Sequence, residues 1–257
     1  MAWNACYYNT ISYILGEPQR FGLMHNPDPL KRLGVRKGVE VARKYEKYLN
    51  DILDIFFAIA PQGFTQRLFG VEGESPLHSV NAMDGDTPGA GSKTIYGNLC
   101  QPDFFFVADG LRLAVEMKVR DDKPRLDQVL KYAALLHAYP HIPSANGRRR
   151  LVFLGEESFT ALGSAVQPPA TDFRAQLAAF SNAKRVTQFA DYGLSLETVK
   201  AWAADMEIGF VSYSELVAAA QQQLQGLNGG NTSDEVYAKL LRGVLAELSE
   251  RFAKEAR

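Results

Sequence analysis

Residues 100–132 constrain the fold more than any other stretch of this chain of 257 residues. Two runs within it, residues 104–107 and 111–119, are rich in aromatic and aliphatic side chains, and they predict two β-strands. Ala108-Asp109-Gly110 separates the runs, and an Asp-Gly pair is a strong signal for a tight hairpin turn. The stretch therefore predicts a β-hairpin.

Three polar residues of this hairpin have a spacing that indicates a site. Asp103 opens the first strand, and Glu116 and Lys118 lie two positions apart on the second. Because side chains alternate between the faces of a strand, Glu116 and Lys118 are expected on one face and Met117 on the other. The hairpin folds Asp103 back beside Glu116. Two neighbouring carboxylates repel each other unless a cation lies between them, so the pattern predicts a site for a divalent ion such as Mg²⁺.

A lysine beside such an ion has an obvious chemical use. It can hold or help to deprotonate a water molecule, and it can offset the charge that builds on a phosphate under attack. Metal, water and Lys118 together indicate a site that cleaves phosphodiester bonds. Taken alone, a Glu-x-Lys sequence is common on solvated strand edges, so the prediction depends on Asp103 and the helix that follows the hairpin.

Pro102-Asp103 followed by Glu116-Met117-Lys118 resembles the signature of the PD-(D/E)XK nuclease superfamily. The resemblance implies an α/β protein with a restriction-endonuclease-like αβββαβ core, in which helices flank a central mixed sheet, and a C-terminal helical extension. It also implies that Asp103, Glu116 and the carbonyl of Met117 bind Mg²⁺ or Mn²⁺, and that Lys118 is the catalytic lysine.

A helix predicted over residues 125–139 carries Gln128 and Tyr132 on one face, one turn apart. These residues are similar to the Gln-x-x-x-Tyr motif of the recombination-exonuclease and CRISPR-associated branch of the superfamily. The resemblance implies that they contact the nucleic acid or support the site. A surface glutamine and a partly buried tyrosine are an equally good local explanation.

The first helix of the chain, predicted over residues 38–58, resembles the first helix of the family, which often supplies another carboxylate. Glu40 and Glu46 are the candidates. At about 100° per residue, Glu46 falls near the edge of the apolar stripe and Glu40 falls well away from it. We therefore favour Glu46 as a further catalytic residue, and a solvated helix charge is the alternative.

The remaining pattern predicts an alternation of strands and helices, with Ser214 capping the last helix of the main domain. The predicted strands are residues 64–71, 151–154 and 208–211, and the predicted helices are residues 171–183, 195–206 and 215–225. We expect a nuclease-like domain over residues 1–225, with its core at about 36–225, and a linker at 226–232.

Residues 233–257 are predicted to form a separate amphipathic helix. Its expected apolar side consists of Val236, Leu240, Val244, Leu248 and Phe252. Most such helices dock on their own domain, and contact with a second copy of the chain or with a partner protein is the alternative.

Composition bears on the partners of the protein and on its expected location. The formal net charge of −1 argues against a chain that is basic throughout, but a local basic groove can still meet phosphates. No apolar run reaches the ~18–20 residues of a membrane span, so we expect no membrane partner. The N-terminus lacks a basic signal region, and the two cysteines indicate no disulfide framework, so we expect a cytoplasmic protein.

These observations together predict a metal-dependent nuclease that hydrolyses phosphodiester bonds, with DNA as the expected substrate, in defence, repair or mobile-element processing. Two other classes stay open: a non-catalytic module that binds nucleic acid with the same fold, and a subunit that needs a partner protein. Residues 88–94 approach a phosphate-binding P-loop, but Ser92 separates the glycine from Lys93, and no helix can follow because of Gly97 and Pro102.

Overall fold

The structure is a computed structural model, and its description covers residues 46–73, 76–79, 100, 102–118, 125–138, 147–156, 171–227 and 231–252. Contacts divide the chain into two compact units. The sheet unit is Pro61–Leu216, and the terminal unit combines Met1–Ala60 with Val217–Arg257. The predicted boundaries at residues 225 and 233 stay a prediction.

A five-stranded mixed sheet forms the centre of the sheet unit. Its strands lie in sequence order across the sheet: β1 (His78–Ser79), β2 (Phe104–Ala108), β3 (Leu111–Met117), β4 (Arg148–Gly155) and β5 (Glu207–Ser212). β1, β2 and β3 pair antiparallel, whereas β4 pairs parallel to β3, and β5 parallel to β4. Parallel neighbours need a crossover connection, which is usually a helix. The predicted α/β class, a mixed sheet flanked by helices, is confirmed.

Among the described residues of the sheet unit, one helix precedes the first strand, one lies between β3 and β4, and three lie between β4 and β5. They are α2 (Gln62–Leu68), α3 (Leu126–Ala138), α4 (Thr171–Ala179), α5 (Ala183–Ala190) and α6 (Leu196–Asp205). α3 packs against β3, β4 and α6. Most of its apolar side chains, including Leu130 and Leu136, are fully buried in one cluster with Leu151 and Phe153 of β4. This burial holds α3 firmly beside the end of the hairpin.

The predicted hairpin is confirmed as β2 and β3. Phe104 pairs with Val115 and Ala108 pairs with Leu111, so Asp109 and Gly110 form a two-residue turn. Gly110 has φ 75°, a left-handed conformation that glycine adopts without the steric cost of a Cβ. Short-range pairing signals were sufficient here because both strands and their turn are contiguous in the sequence.

The strand predicted over residues 64–71 is wrong, because residues 62–68 form α2. Pro61 precedes the helix, Phe64 and Leu68 lie four positions apart, and Gly70 follows with φ 64°. A proline at the start and a left-handed glycine after the end are helix boundary signals. These signals outweigh the β-prone composition of the run.

Two helix boundaries also differ from prediction. The helix predicted over residues 171–183 ends at Ala179, and a second helix, α5, begins after Asn182, whose side chain accepts a hydrogen bond from the Arg185 N–H (3.2 Å). The last helix of the predicted main domain is α7 (Tyr213–Gln225), and its cap is Ser212 instead of Ser214. Ser212 and Glu215 bond each other's backbone N–H at 3.0 and 2.6 Å, a capping box.

The terminal unit contains α1 (Glu46–Ile59), the end of α7 and α8 (Thr232–Phe252). α1 and α8 contact each other. Leu240, Val244 and Leu248 of the predicted apolar side are buried, but Val236 is 56% exposed. Residues spaced by four advance about 40° around a helix at each step, so a stripe of that spacing leaves the buried face. Within the described ranges, no helix is both long and apolar enough to cross a membrane.

Candidate functional site

The hairpin holds Asp103 against the Glu116-Met117 peptide. The Asp103 N–H donates to the carbonyl of Val115 (3.1 Å), which extends the antiparallel ladder one residue beyond β2. The Oδ2 atom of Asp103 accepts a hydrogen bond from the Met117 N–H (2.6 Å). The side chain is therefore turned toward the end of β3, where the sequence predicted that it would meet Glu116.

Glu116 and Lys118 share one face of the sheet, as strand alternation predicted. The Lys118 Nζ lies 2.7 Å from the Glu116 Oε1, and the two side chains are only 2% and 13% exposed. Met117 points the other way and is fully buried. A lysine ammonium is costly to bury without an anion, so the contact with the Glu116 carboxylate favours the burial of Lys118.

The backbone of Lys118 is held on both sides. Its N–H donates to the Leu154 carbonyl of β4 (2.8 Å), and its own carbonyl accepts from the Tyr213 hydroxyl at the start of α7 (3.2 Å). Tyr213 is buried. Tyr213 could not be predicted from the sequence, because its contact with Lys118 joins residues that lie 95 positions apart.

Gln128 and Tyr132 both point from α3 to Glu116. The Gln128 Nε2 donates to the Glu116 Oε1 (3.1 Å), and the Tyr132 hydroxyl donates to the Glu116 Oε2. Burial raises the pKa of Tyr132 well above its ordinary value, and the negative charge of Glu116 raises it further. Tyr132 therefore stays protonated and acts as a hydrogen-bond donor. The contact with nucleic acid predicted for both residues stays a prediction.

Three donors thus converge on the Glu116 carboxylate. Lys118 follows the end of β3, and Gln128 and Tyr132 lie on one face of α3. A carboxylate held by three donors has little rotational freedom, so its oxygens are fixed relative to Asp103. The arrangement supplies a fixed acid group, a second carboxylate and a buried ammonium at the end of the hairpin opposite its turn.

Asp103 and Glu116 are the residues that could hold a metal ion. The part of the chain that the structure describes contains no group of three or more histidine, cysteine or acidic side chains placed to bind one. Two carboxylates are nonetheless a common donor set for Mg²⁺, which completes its coordination with waters and substrate phosphates. Binding of Mg²⁺ or Mn²⁺ by Asp103 and Glu116 stays a prediction. The Met117 carbonyl as a third ligand stays a prediction.

Other predicted features lie wholly or partly outside the described residues. Glu46 is the first residue of α1, but its side chain is not among those described, and Glu40 precedes the described range. The residues that resemble a P-loop, 88–94, also lie outside it. The role of Glu46 as a further carboxylate stays a prediction.

A charged cluster beside Glu116 was also missed by sequence analysis. Asp127 of α3 forms an ion pair with Arg185 of α5 (Nη2–Oδ2 2.6 Å), and Lys131 follows Asp127 by one helical turn. The cap of α5 at Asn182 is the sequence signal that could have placed Arg185 on a helix. Its partner on α3 could not be deduced, because 58 residues separate the two.

Comparison of the chain with known protein families, with curated proteins and with solved structures found no match. The function is therefore inferred from the residues of the site and from their geometry.

Proposed function

We propose that this protein is a metal-dependent nuclease that hydrolyses phosphodiester bonds in DNA. The observation that carries the proposal is the contact between the Glu116 carboxylate and the Lys118 ammonium, with Asp103 held at the adjacent Met117 N–H. Two carboxylates and a lysine at the end of one hairpin are the groups that metal-assisted phosphodiester hydrolysis uses.

Each residue has a distinct part in the proposed reaction. Asp103 and Glu116 would hold Mg²⁺ or Mn²⁺, and such an ion, when bound, polarises a phosphate and lowers the pKa of a water. Lys118 would position the attacking water and offset negative charge on the phosphate. Gln128 and Tyr132 keep the Glu116 carboxylate in one orientation. Their contact with the substrate strand is part of the proposal.

The order of elements also supports the proposal. The resemblance implies an αβββαβ core. In this chain α1 and α2 precede β1, β2 and β3, and α3 leads to β4. This agreement in the order of elements supports a restriction-endonuclease-like core as part of the proposal.

The first test is cleavage by the pure protein. Linear, nicked, branched and single-stranded DNA would be incubated with Mg²⁺ or Mn²⁺, with EDTA as the control. We expect cleavage of at least one substrate that depends on the added ion. Absence of cleavage across the whole panel would count heavily against the proposal.

A non-catalytic nucleic-acid-binding module is the second candidate. It is favoured by the fact that Glu116 already accepts hydrogen bonds from Lys118, Gln128 and Tyr132, as a purely structural carboxylate would. Titration calorimetry with Mg²⁺ and Mn²⁺ separates the two candidates. If native protein binds the ion and Asp103→Asn does not, the result supports the nuclease. If native protein binds DNA but no divalent ion, the result supports the binding module.

A further inference from the structure

Three cations surround a single carboxylate beside the candidate site. Arg185 of α5 forms an ion pair with Asp127 at 2.6 Å, and the Arg125 Nε lies 3.8 Å from the other oxygen of Asp127. Lys131 lies one turn further along α3 and interacts electrostatically with all three of these residues. We call Arg125, Lys131 and Arg185 the basic cluster. With Asp127 included, it has two positive charges in excess.

This excess is not neutralised by other groups in the described parts of the chain. The Lys131 ammonium has no hydrogen bond or ion pair there, and the buried Nε of Arg185 has no hydrogen-bond partner. Burial lowers the pKa of Lys131, and the charge of Arg185 lowers it further. Like charges held together raise the free energy of the folded protein, and a bound anion would remove that cost.

The basic cluster lies next to the groups that hold Glu116. Gln128 and Tyr132 of α3 bond Glu116, and Asp127 and Lys131 each come one position before them. Asp127 and Lys131 therefore occupy the neighbouring face of the same helix, about 100° away. The Arg125 N–H donates to the Gln128 Oε1 (3.3 Å), which joins the cluster to the site. The positive end of the α3 dipole adds to the local potential.

Exposure differs among the three cations in a way that suits a ligand from solvent. Arg125 is 65% exposed, Lys131 is half-buried, and Arg185 is largely covered and fixed by Asp127 and by Gln188 (2.5 Å). Arg125 and Lys131 can therefore reach an anion, while Arg185 supplies a fixed charge behind them.

We propose that the basic cluster is a phosphate subsite that binds the DNA backbone next to the Asp103–Glu116 site. The identity of the ligand as DNA rests on the proposed function. The subsite would hold a phosphate neighbouring the scissile one, and so fix the position of the strand relative to Glu116. Backbone phosphates are contacted in this way by arginine and lysine without regard to sequence.

The test measures DNA affinity without cleavage. Labelled single-stranded and duplex DNA would be titrated with native protein in EDTA and again in Ca²⁺, over a range of salt concentrations. We expect Lys131→Gln and Arg125→Gln each to weaken binding roughly tenfold, the worth of one charge-assisted contact. Each should also lower the slope of log affinity against log salt by about 1.

Two further variants make the result specific. Lys131→Arg keeps the charge and should restore native affinity. Lys184→Gln removes one positive charge from an exposed position of α5, outside the basic cluster, and should leave both affinity and salt slope close to native. Thermal unfolding of every variant checks that the fold is retained.

The subsite and the nuclease proposal fail in different ways. The subsite is overturned if native protein binds no DNA, if Lys131→Gln binds like native protein, or if Lys184→Gln weakens binding as much as Lys131→Gln. Weakened binding by the Lys131 and Arg125 variants, with no cleavage under any condition, leaves the subsite standing and removes the nuclease. If DNA is cleaved and those variants bind it with native affinity, the nuclease stands and the subsite is overturned.

Discussion

Replacing Glu116 by glutamine tests whether its carboxylate holds the candidate site together. The change keeps the size of the side chain and removes its negative charge. In the native protein that charge faces the ammonium of Lys118 at 2.7 Å, and Lys118 is almost completely buried. We expect Glu116→Gln to lower the free energy of unfolding by about 2–4 kcal/mol.

The magnitude follows from what is left behind. Removing one partner of a buried ion pair costs about 3–5 kcal/mol, because the remaining charge stays buried and loses the attraction of that partner. The glutamine oxygen can still accept from Lys118, which recovers part of this. The amide nitrogen, however, would face Tyr132, whose hydroxyl donates to the carboxylate in the native protein, so one donor loses its acceptor at a cost of about 1 kcal/mol.

Glu207→Gln is the matched control. Glu207 also lies on a strand and accepts from two cations, Arg148 at 2.8 Å and Arg150 at 3.1 Å, but it is 38% exposed. An exposed pair contributes only about 0–1 kcal/mol, because water and salt screen it. Chemical denaturation followed by far-ultraviolet circular dichroism measures both variants. A cost for Glu116→Gln that is no larger than the cost for Glu207→Gln would refute the reasoning.

Three further predictions concern the sheet unit. Arg112→Leu should destabilise the protein by about 2–4 kcal/mol, since the buried guanidinium donates to two carbonyls at the end of α3 (2.5 and 3.1 Å). Chemical denaturation of Arg112→Leu and of Arg112→Lys measures the loss, and the lysine variant should lose less. Burial lowers the pKa of His137 to about 4, so the unfolded state binds a proton first as pH falls below about 6.5. Stability is therefore full above pH 6.5 and is lost toward pH 4, by about 1–2 kcal/mol after allowance for solvent screening, and His137→Gln should abolish this part of the pH dependence. Gly209→Ala should cost up to about 1 kcal/mol, because the new Cβ would lie 2.8 Å from the Arg150 Nη2, and this cost should vanish when Arg150 is already alanine.

Local signals predicted the centre of the site. The Asp-Gly pair predicted the hairpin, and strand alternation placed Glu116 and Lys118 on one face of the second strand. Helical spacing placed Gln128 and Tyr132 on one face of the following helix. Each of these relations spans a few residues, or two strands joined by a two-residue turn. Local backbone geometry determines these positions, and the residue types of each segment favour that geometry.

Contacts between distant segments could not be predicted in the same way. Tyr213 reaches the Lys118 carbonyl because α7 follows β5, the strand that pairs with β4. Arg185 reaches Asp127 because α3 and α5 both pack against α6. Neither partner is determined by its neighbours in sequence. The strand predicted over residues 64–71 failed for a different reason, because the helix boundary signals at Pro61 and Gly70 are local and outweigh the β-prone composition between them.

The spacing of the C-terminal stripe illustrates a further limit. Val236 belongs to the same run of apolar residues as Leu240 and Leu248, yet it is exposed. Its position follows from the 40° advance at each step of four residues, which a count of apolar positions does not take into account.

The rate of DNA cleavage in Mg²⁺, compared between native protein and two site variants, tests the central claim most directly. The variants are Asp103→Asn and Lys118→Met, with Glu207→Gln as the control. We predict cleavage by native and control protein, and a loss of about a hundredfold or more in both site variants while circular dichroism shows them folded. Equal cleavage by all four proteins, or cleavage by none of them, would contradict the assignment of the site.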